Sequence, residues 1–272
     1  MPDQPERTLN DGRSMPQFGL GVWRTPQDEA AEVVRTAVQA GYRAVDTAAI
    51  YGNEIGVGEG LRGAEGVFLT TKLWNDYQGY DSALRAFDDS LERLGMEGVD
   101  LYLIHWPSPH RGLYLDSWRA LVRLKEEGRA RSIGVSNFAP EHLERIIGET
   151  GVTPAVNQIE LHPGFQQRPL RAFHDAHGIK TESWSPLGQG QTLAEPVIAE
   201  IAAKHGRTPA QVVIRWHLDL GLIVIPKSVN PARIRENLDV FGFKLDAADL
   251  ERIAELDRPE GRIGPDPLTA AF

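Results

Sequence analysis

Short apolar runs recur along the chain, separated by longer amphipathic stretches. There are eight: Phe18–Gly21, Ala44–Asp46, Val67–Lys72, Leu101–His105, Ser132–Ser136, Ala155–Gln158, Lys180–Trp184 and Leu222–Pro226. They are near-continuously apolar rather than alternating, as strands buried on both faces of a parallel sheet are. Between them, Leu84, Phe87, Leu91 and Leu94 recur at helical spacing, as do Tyr114, Trp118, Leu121 and Val122. Thr25-Pro26, Thr208-Pro209 and Asn230-Pro231 each set a capping side chain before a proline suited to the first helical position. Gly41, Gly128 and Gly178 follow helical stretches, where a left-handed C-cap is wanted.

Eight strand–helix units over this length predict an α/β fold, a closed (β/α)8 TIM barrel, with a doubly wound open sheet as the alternative. No Ser/Gly-rich linker or compositional break divides the chain, so residues 1–272 are read as a single barrel domain. Asn10-Asp11-Gly12, inside Thr8–Pro16, is a hairpin-turn signal. It predicts an N-terminal β-hairpin acting as a short two-stranded lid. Pro196 to Leu220 has room for two helices, so extra helices are expected toward the C-terminus.

Composition then narrows the function. Lys and Arg number 29 against 38 Asp and Glu, a net charge of −9, which argues against a nucleic-acid partner. With no cysteine, disulfides, thiolate nucleophiles and Cys-ligated zinc are all excluded. Met1–Asn10 is polar without an apolar secretory core, and no apolar run approaches the ~20 residues of a bilayer span. A soluble, cytoplasmic protein with no membrane partner is expected.

The candidate chemistry sits where the runs end. Asp46, Lys72, His105, Asn137, Gln158 and Lys227 lie at or just after the last residue of successive runs. A closed parallel barrel gathers these C-terminal ends on one rim, where barrel active sites sit. Tyr51 lies in the loop after Asp46. A phenol titrates near pH 10 and is a poor acid at neutrality unless a cation stabilises the phenolate. A Lys72 ammonium held by Asp46 would supply that cation, and a tuned Tyr–Lys pair can protonate an oxygen as charge develops on it. Each residue also has a plainer reading. Asp46 could be a helix cap, Lys72 and His105 solvated loop starts, Tyr51 a half-buried loop tyrosine, Trp184 barrel packing, and Lys227 and Arg233 a solvated helix start.

Several longer motifs resemble the aldo-keto reductase family. Asp46–Glu54 (DTAAIYGNE) resembles its first signature, Gly134–Phe138 (GVSNF) a second, and Ile225–Ser228 (IPKS), running on to Arg233, Glu236 and Asn237, a third. With Leu101–Pro107 and Asn157–Pro163, the similarity spans nearly the whole chain. Thr71–Asp76 (TKLWND), Asn157–Pro163 (NQIELHP) and Glu182–Gly190 (ESWSPLGQG) look most like the prokaryotic 2,5-diketo-D-gluconic acid reductases. The resemblance implies an NADPH-dependent carbonyl reductase acting on a small-molecule substrate, with no metal, and a monomer.

It also implies roles. Tyr51 would be the general acid, Lys72 paired with Asp46 would depress its pKa, and His105 would orient the carbonyl oxygen. Ser136, Asn137 and Gln158 would hold the nicotinamide carboxamide and Trp184 would stack on its ring. Ser185, Leu187 and Gln189 would meet the pyrophosphate. Lys227, Ser228 and Arg233 would bind the 2′-phosphate, and Glu236 and Asn237 the adenine end. Trp23, Trp74 and Trp106 would wall the substrate pocket, with Trp184 at its floor. The segments Leu61–Phe68 and Gly190–Glu195 are short for the family, as is the tail after Pro259. The second of these implies weaker trapping of the cofactor. Two other readings compete: a Schiff-base aldolase using Lys72, and a non-catalytic NADPH-binding barrel.

Other motif matches fail. Gly58–Gly63 fits the G-x-G-x-x-G string but follows no strand. Gly134–Phe138 misses the nucleophile elbow at its last residue. His174 and His177 share a helical stretch without a third ligand and read as a solvated face.

Overall fold

The computed structural model describes residues 4–272. Strands β1 (Glu6–Thr8) and β2 (Ser14–Pro16) form an antiparallel hairpin. Eight parallel strands follow: β3 (Leu20–Gly21), β4 (Ala44–Asp46), β5 (Phe68–Leu73), β6 (Val99–Ile104), β7 (Ala130–Ser136), β8 (Val156–Glu160), β9 (Lys180–Trp184) and β10 (Ile223–Val224). Each pairs with its sequence neighbour, and the seam closes between β10 and β3. Gly19 N donates to Val224 O at 3.0 Å and Gly21 N to Pro226 O at 3.3 Å. The sheet is therefore a (β/α)8 barrel and not an open, doubly wound sheet.

Predicted runs Ala44–Asp46 and Lys180–Trp184 match their strands to the residue. The runs at the seam are longer than the strands there. Phe18 and Lys227 pair only through isolated bridges, and Pro226 has no N–H to give to a ladder.

Helices α1 (Gln27–Ala40), α2 (Glu54–Leu61), α3 (Tyr80–Leu94), α4 (Tyr114–Glu126), α5 (Pro140–Thr150) and α6 (Arg168–Ala176) alternate with the strands. Two more, α7 (Pro196–His205) and α8 (Pro209–Asp219), separate β9 from β10, while α9 (Pro231–Leu238) and α10 (Ala247–Ala254) follow the barrel. Thr208 and Asn230 cap α8 and α9 as their sequences promise. Thr25 does not cap α1. That helix begins a residue later than expected, with Pro26 at the cap position, and the Thr25 hydroxyl is buried without a partner. Gly41 ends α1 at φ 116°, a conformation that needs glycine. Among the described residues no helix is long and apolar enough to cross a membrane.

The rejected glycine string lies in α2 and has a packing purpose. A Cβ on Gly58 would stand 2.0 Å from Leu94 O, and one on Gly60 would stand 2.6 Å from Val34 Cβ. Bare backbone lets α2 sit against α1 and α3. His174 corrects the solvated-face expectation. It is fully buried, with Nε2 2.9 Å from Asn157 Nδ2 and Nδ1 2.8 Å from Thr181 Oγ1, while His177 is exposed. Burial, more than any neighbour, lowers the His174 pKa to about 3.

The hairpin is a plug in the N-terminal end of the barrel rather than a free lid. Leu9 and Met15 are buried with Ala44, Phe68, Leu101, Val156 and Ile223 inside the barrel, toward the strands' N-terminal ends. Asn10 Nδ2 donates to Pro154 O at 2.9 Å, and Asp11 accepts from Ser132 Oγ at 2.9 Å and pairs with Lys125 at 3.0 Å. The two apolar side chains need an apolar end of the barrel, and the opposite end is polar.

Candidate active site

The period-two alternation of a strand fixes which residues face the barrel interior. Asp46, Lys72 and Gln158 point inward near the C-terminal ends of β4, β5 and β8. Lys72 Nζ donates to Asp46 Oδ1 at 2.6 Å and to Thr47 O at 2.8 Å, with Lys72 fully buried and Asp46 nearly so. So buried an ammonium is tolerated only because it is paired and hydrogen-bonded. Tyr51 ends the short turn Ala49–Tyr51, and its ring centre is 5.3 Å from Lys72 Nζ. The His105 ring meets it edge-on at 5.7 Å.

The loop carrying Tyr51 is anchored by its own sequence. Asn53 Oδ1 accepts from Thr47 Oγ1 at 2.7 Å, and its Nδ2 donates to Val22 O at 2.9 Å and Thr25 O at 3.1 Å. The next residue, Glu54, accepts from Thr71 Oγ1 at 2.6 Å and from Arg93 Nε at 2.7 Å. Tyr51 thus leaves a rigid base rather than a free loop tip.

Burial works against charge on Lys72, but Asp46, together with Tyr51 and Glu182, outweighs it, and the lysine pKa is raised. For Tyr51, loss of water is the largest influence and pushes the phenol up. Lys72 pulls it down, Asp46 pushes it up again, and the net direction is upward. The expected depression is therefore real as a contribution from Lys72 but is outweighed, because the phenol and the carboxylate share one desolvated site. Burial first, and the Lys72 charge second, hold His105 well below the ordinary histidine value, so its imidazole is neutral. Its Nδ1 is buried with no partner.

A continuous polar network flanks these groups. Gln158 Nε2 donates to Asp46 Oδ2 and to Glu182 Oε2, each at 2.8 Å. Ser136 Oγ donates to Gln158 O at 2.8 Å, and Asn137 Nδ2 donates to His105 O at 3.0 Å. Trp184 Nε1 donates to Asn137 Oδ1 at 2.8 Å. Ser136, Asn137, Gln158 and Trp184 therefore form one hydrogen-bonded group beside Asp46 and His105. Beyond β9 the chain turns sharply, with Ser185 and Gln189 at φ 47° and 51° and half-buried Leu187 between them. Exposed Lys227, buried Ser228 and exposed Arg233 surround the start of α9. Asn237 is buried nearby, and Glu236 Oε1 accepts from Thr208 Oγ1 at 2.8 Å, tying α9 to α8.

Trp74 and Trp106 converge on Phe272. Trp74 meets His105 edge-on at 5.3 Å and stacks on Phe272 at 6.0 Å; Trp106 meets Phe272 edge-on at 5.1 Å. Trp23, just after β3, is 40% exposed, with the Arg24 guanidinium 4.1 Å over its ring. The tail reaches the rim because Glu160 draws it in: its carboxylate accepts from Ile263 N at 2.5 Å and Gly264 N at 2.8 Å. A Cβ on Gly264 would lie 2.5 Å from Trp184 Cη2, so the tail passes directly against that ring.

Glu160, Glu182 and Phe272 are absent from the sequence-derived set. For the two glutamates a signal existed: each is two residues from a named inward-facing residue, Gln158 or Trp184, and so shares its face. Phe272 had none, because tail placement depends on contacts far away in sequence.

The Aldo/keto reductase family model matches residues 15–258. An aldo-keto reductase of Mycolicibacterium smegmatis is 57% identical, with 98% of each chain covered. The methylglyoxal reductase DkgA of Escherichia coli K12 is 52% identical, with 95% of each chain covered. A crystal structure of a Gox0644 mutant in complex with NADPH superposes with a TM-score of 0.98 at 62% identity, covering 99% of this chain and 100% of that one. The ion pair, the phenol above it and the neutral imidazole thus stand on a chain that belongs to the aldo/keto reductase family.

Proposed function

We propose that the protein is an NADPH-dependent reductase of small aldehydes, ketones and α-dicarbonyls such as methylglyoxal. The observation that carries this reading is the buried Lys72–Asp46 pair beneath Tyr51, with the neutral His105 ring beside it. The donor set also fits the cofactor. Two exposed cations and a hydroxyl at the start of α9 suit a phosphate monoester, which favours NADPH over NADH. Lys227, Ser228 and Arg233 would hold the 2′-phosphate, and Glu236 and Asn237 the adenine. Ser185, Leu187 and Gln189 would meet the pyrophosphate, at the loops where barrels commonly bind phosphate. Ser136, Asn137 and Gln158 would hold the carboxamide under the Trp184 ring.

When bound, NADPH would supply a hydride to the carbonyl carbon. Charge then develops on the carbonyl oxygen, and Tyr51 donates its phenolic proton there. A phenol is protonated at neutral pH, and burial does nothing to change that for Tyr51. The Lys72 ammonium stabilises the phenolate left behind, and Asp46 keeps that ammonium charged and fixed. His105, neutral, offers an N–H to the same oxygen, so two donors converge on it. Trp74, Trp106 and Phe272 supply flat apolar walls that suit a small carbonyl compound. The aldolase alternative needs a neutral lysine nucleophile. The Lys72 pKa moves the opposite way.

The test is a panel of aldehydes, α-dicarbonyls and keto sugars followed by loss of NADPH absorbance, run on wild type and Tyr51→Phe. Wild type turns over members of the panel. The variant binds NADPH almost unchanged and loses about 100-fold or more in turnover. Full turnover in the variant would remove Tyr51 as the acid, and NADPH binding with no turnover by wild type would make the chain a binding protein.

A further inference from the structure

The mechanism above leaves one buried acid without work. Glu182 lies mid-strand in β9, fully buried, facing the barrel interior opposite Gln158, its register partner on β8. Burying a carboxyl group there costs free energy unless it is hydrogen-bonded or paired. Its one hydrogen bond is from Gln158 Nε2, 2.8 Å from Oε2, and Oε1 has no partner. The same Gln158 nitrogen donates to Asp46 Oδ2 at 2.8 Å. A primary amide has two N–H bonds and one carbonyl oxygen. With both N–H bonds committed to carboxyl oxygens, the only polar atom left on the Gln158 side chain is Oε1, an acceptor. The two carboxyl groups also decide which end of the amide is which, because a flipped amide would set Oε1 against Asp46 and Glu182.

We infer that Glu182 is a positioning residue: with Asp46 it clamps the Gln158 amide so that Oε1 is presented as a fixed acceptor for the carboxamide NH2 of the nicotinamide cofactor. This inference rests on the proposed cofactor site and adds the device that orients it. Asp46 alone would hold only one N–H, so the amide's last torsion would be fixed less firmly. Glu182 serves as an acceptor through Oε2 whether or not Oε1 carries a proton. The network therefore joins the proton-donating side of the site, Asp46–Lys72–Tyr51, to the cofactor side through a single glutamine.

The test compares binding of NADP+, of its 3-acetylpyridine analogue (which lacks the NH2 donor) and of adenosine 2′,5′-bisphosphate to the whole protein by fluorescence titration. In wild type the acetyl analogue binds about tenfold more weakly than NADP+, the value of one well-placed hydrogen bond. In Glu182→Leu, NADP+ weakens toward the analogue and the ratio falls toward one. Glu182→Gln, which still offers an oxygen to Gln158, restores most of the preference. The bisphosphate reads only the adenosine end, so unchanged affinity for it in every variant certifies the fold. Gln158→Ala separates the two readings. If it collapses the ratio and Glu182→Leu does not, the clamp is overturned while the cofactor site stands. If neither variant moves the ratio, Gln158 does not face the carboxamide, and both readings fall.

Discussion

At the residue scale the site is governed by which charges burial permits. Lys72 is held as the ammonium by its 2.6 Å pair with Asp46. His105, without a carboxylate partner and beside that ammonium, stays neutral. Tyr51 stays protonated because desolvation and Asp46 together outweigh Lys72. The pH dependence follows. If Tyr51 is the proton donor as proposed, its protonated form is the active one for reduction, and activity falls as pH rises through its raised pKa. His105 adds no limb near its ordinary value of 6.5, because it is already neutral well below that. The kcat/KM for a non-ionising aldehyde should therefore be level from about pH 5.5 to 7.5. A measured inflection near 6.5 would mean that His105 titrates there and is not the neutral donor. That Asp46, Lys72 and His105 gather on one rim was legible in the sequence because they recur at strand ends. The direction of the Tyr51 shift was not, since it depends on the balance of desolvation against two opposite charges.

At the element scale, two joints set the architecture and the cofactor end. Helix α2 meets α1 and α3 through bare glycine faces, and Gly58 tolerates least, with Leu94 O where a Cβ would go. Backbone cannot swing aside as a side chain does, so Gly58→Ala must push α2 off α3. A loss of about 1–3 kcal/mol or more is expected, read by denaturant unfolding. A stability equal to wild type would show that the helices slide freely. The α9 start makes a different prediction. Arg233→Ala should weaken NADPH about tenfold or more and NADH hardly at all, since only NADPH carries the 2′-phosphate. Equal losses in two parallel titrations would remove Arg233 from that role. Elements were legible wherever periodicity or capping chemistry is local, as with the strand ends and the Thr208 and Asn230 caps. The hairpin was legible as a hairpin and not as a plug, because turn residues fix the turn while Leu9 and Met15 choose the barrel end by what they can bury against. His174 was misread for a related reason: spacing puts two histidines near one helical face, but only Asn157 and Thr181, on two other strands, show that the first points inward.

At the scale of the whole molecule, buried titratable groups pull stability in opposite directions with pH. His174 and His217 are lowered to about 3 and about 4, chiefly by burial, and His105 lies well below 6.5. Between those values and 6.5 the unfolded chain binds protons that the folded protein refuses, so these histidines make stability rise with pH and then stop contributing. Glu182 does the reverse. Burial first, and the Asp46 carboxylate second, push it up to about 8 from an ordinary 4.5. Below 4.5 it is protonated in both states. From there to about 8 the folded protein keeps a proton that the unfolded chain has released, so the stability Glu182 contributes is fully present below its unfolded value and is lost as pH rises through its folded one. Glu182→Gln removes this one ionisable group from the buried cluster it forms with Asp46 and Lys72. Glu182→Gln has no proton to lose, and its melting temperature should gain on wild type steadily from pH 5 to about pH 8. Parallel melting curves for the two proteins across that range would mean that Glu182 is already ionised at low pH. The barrel would then hold two carboxylates around one ammonium.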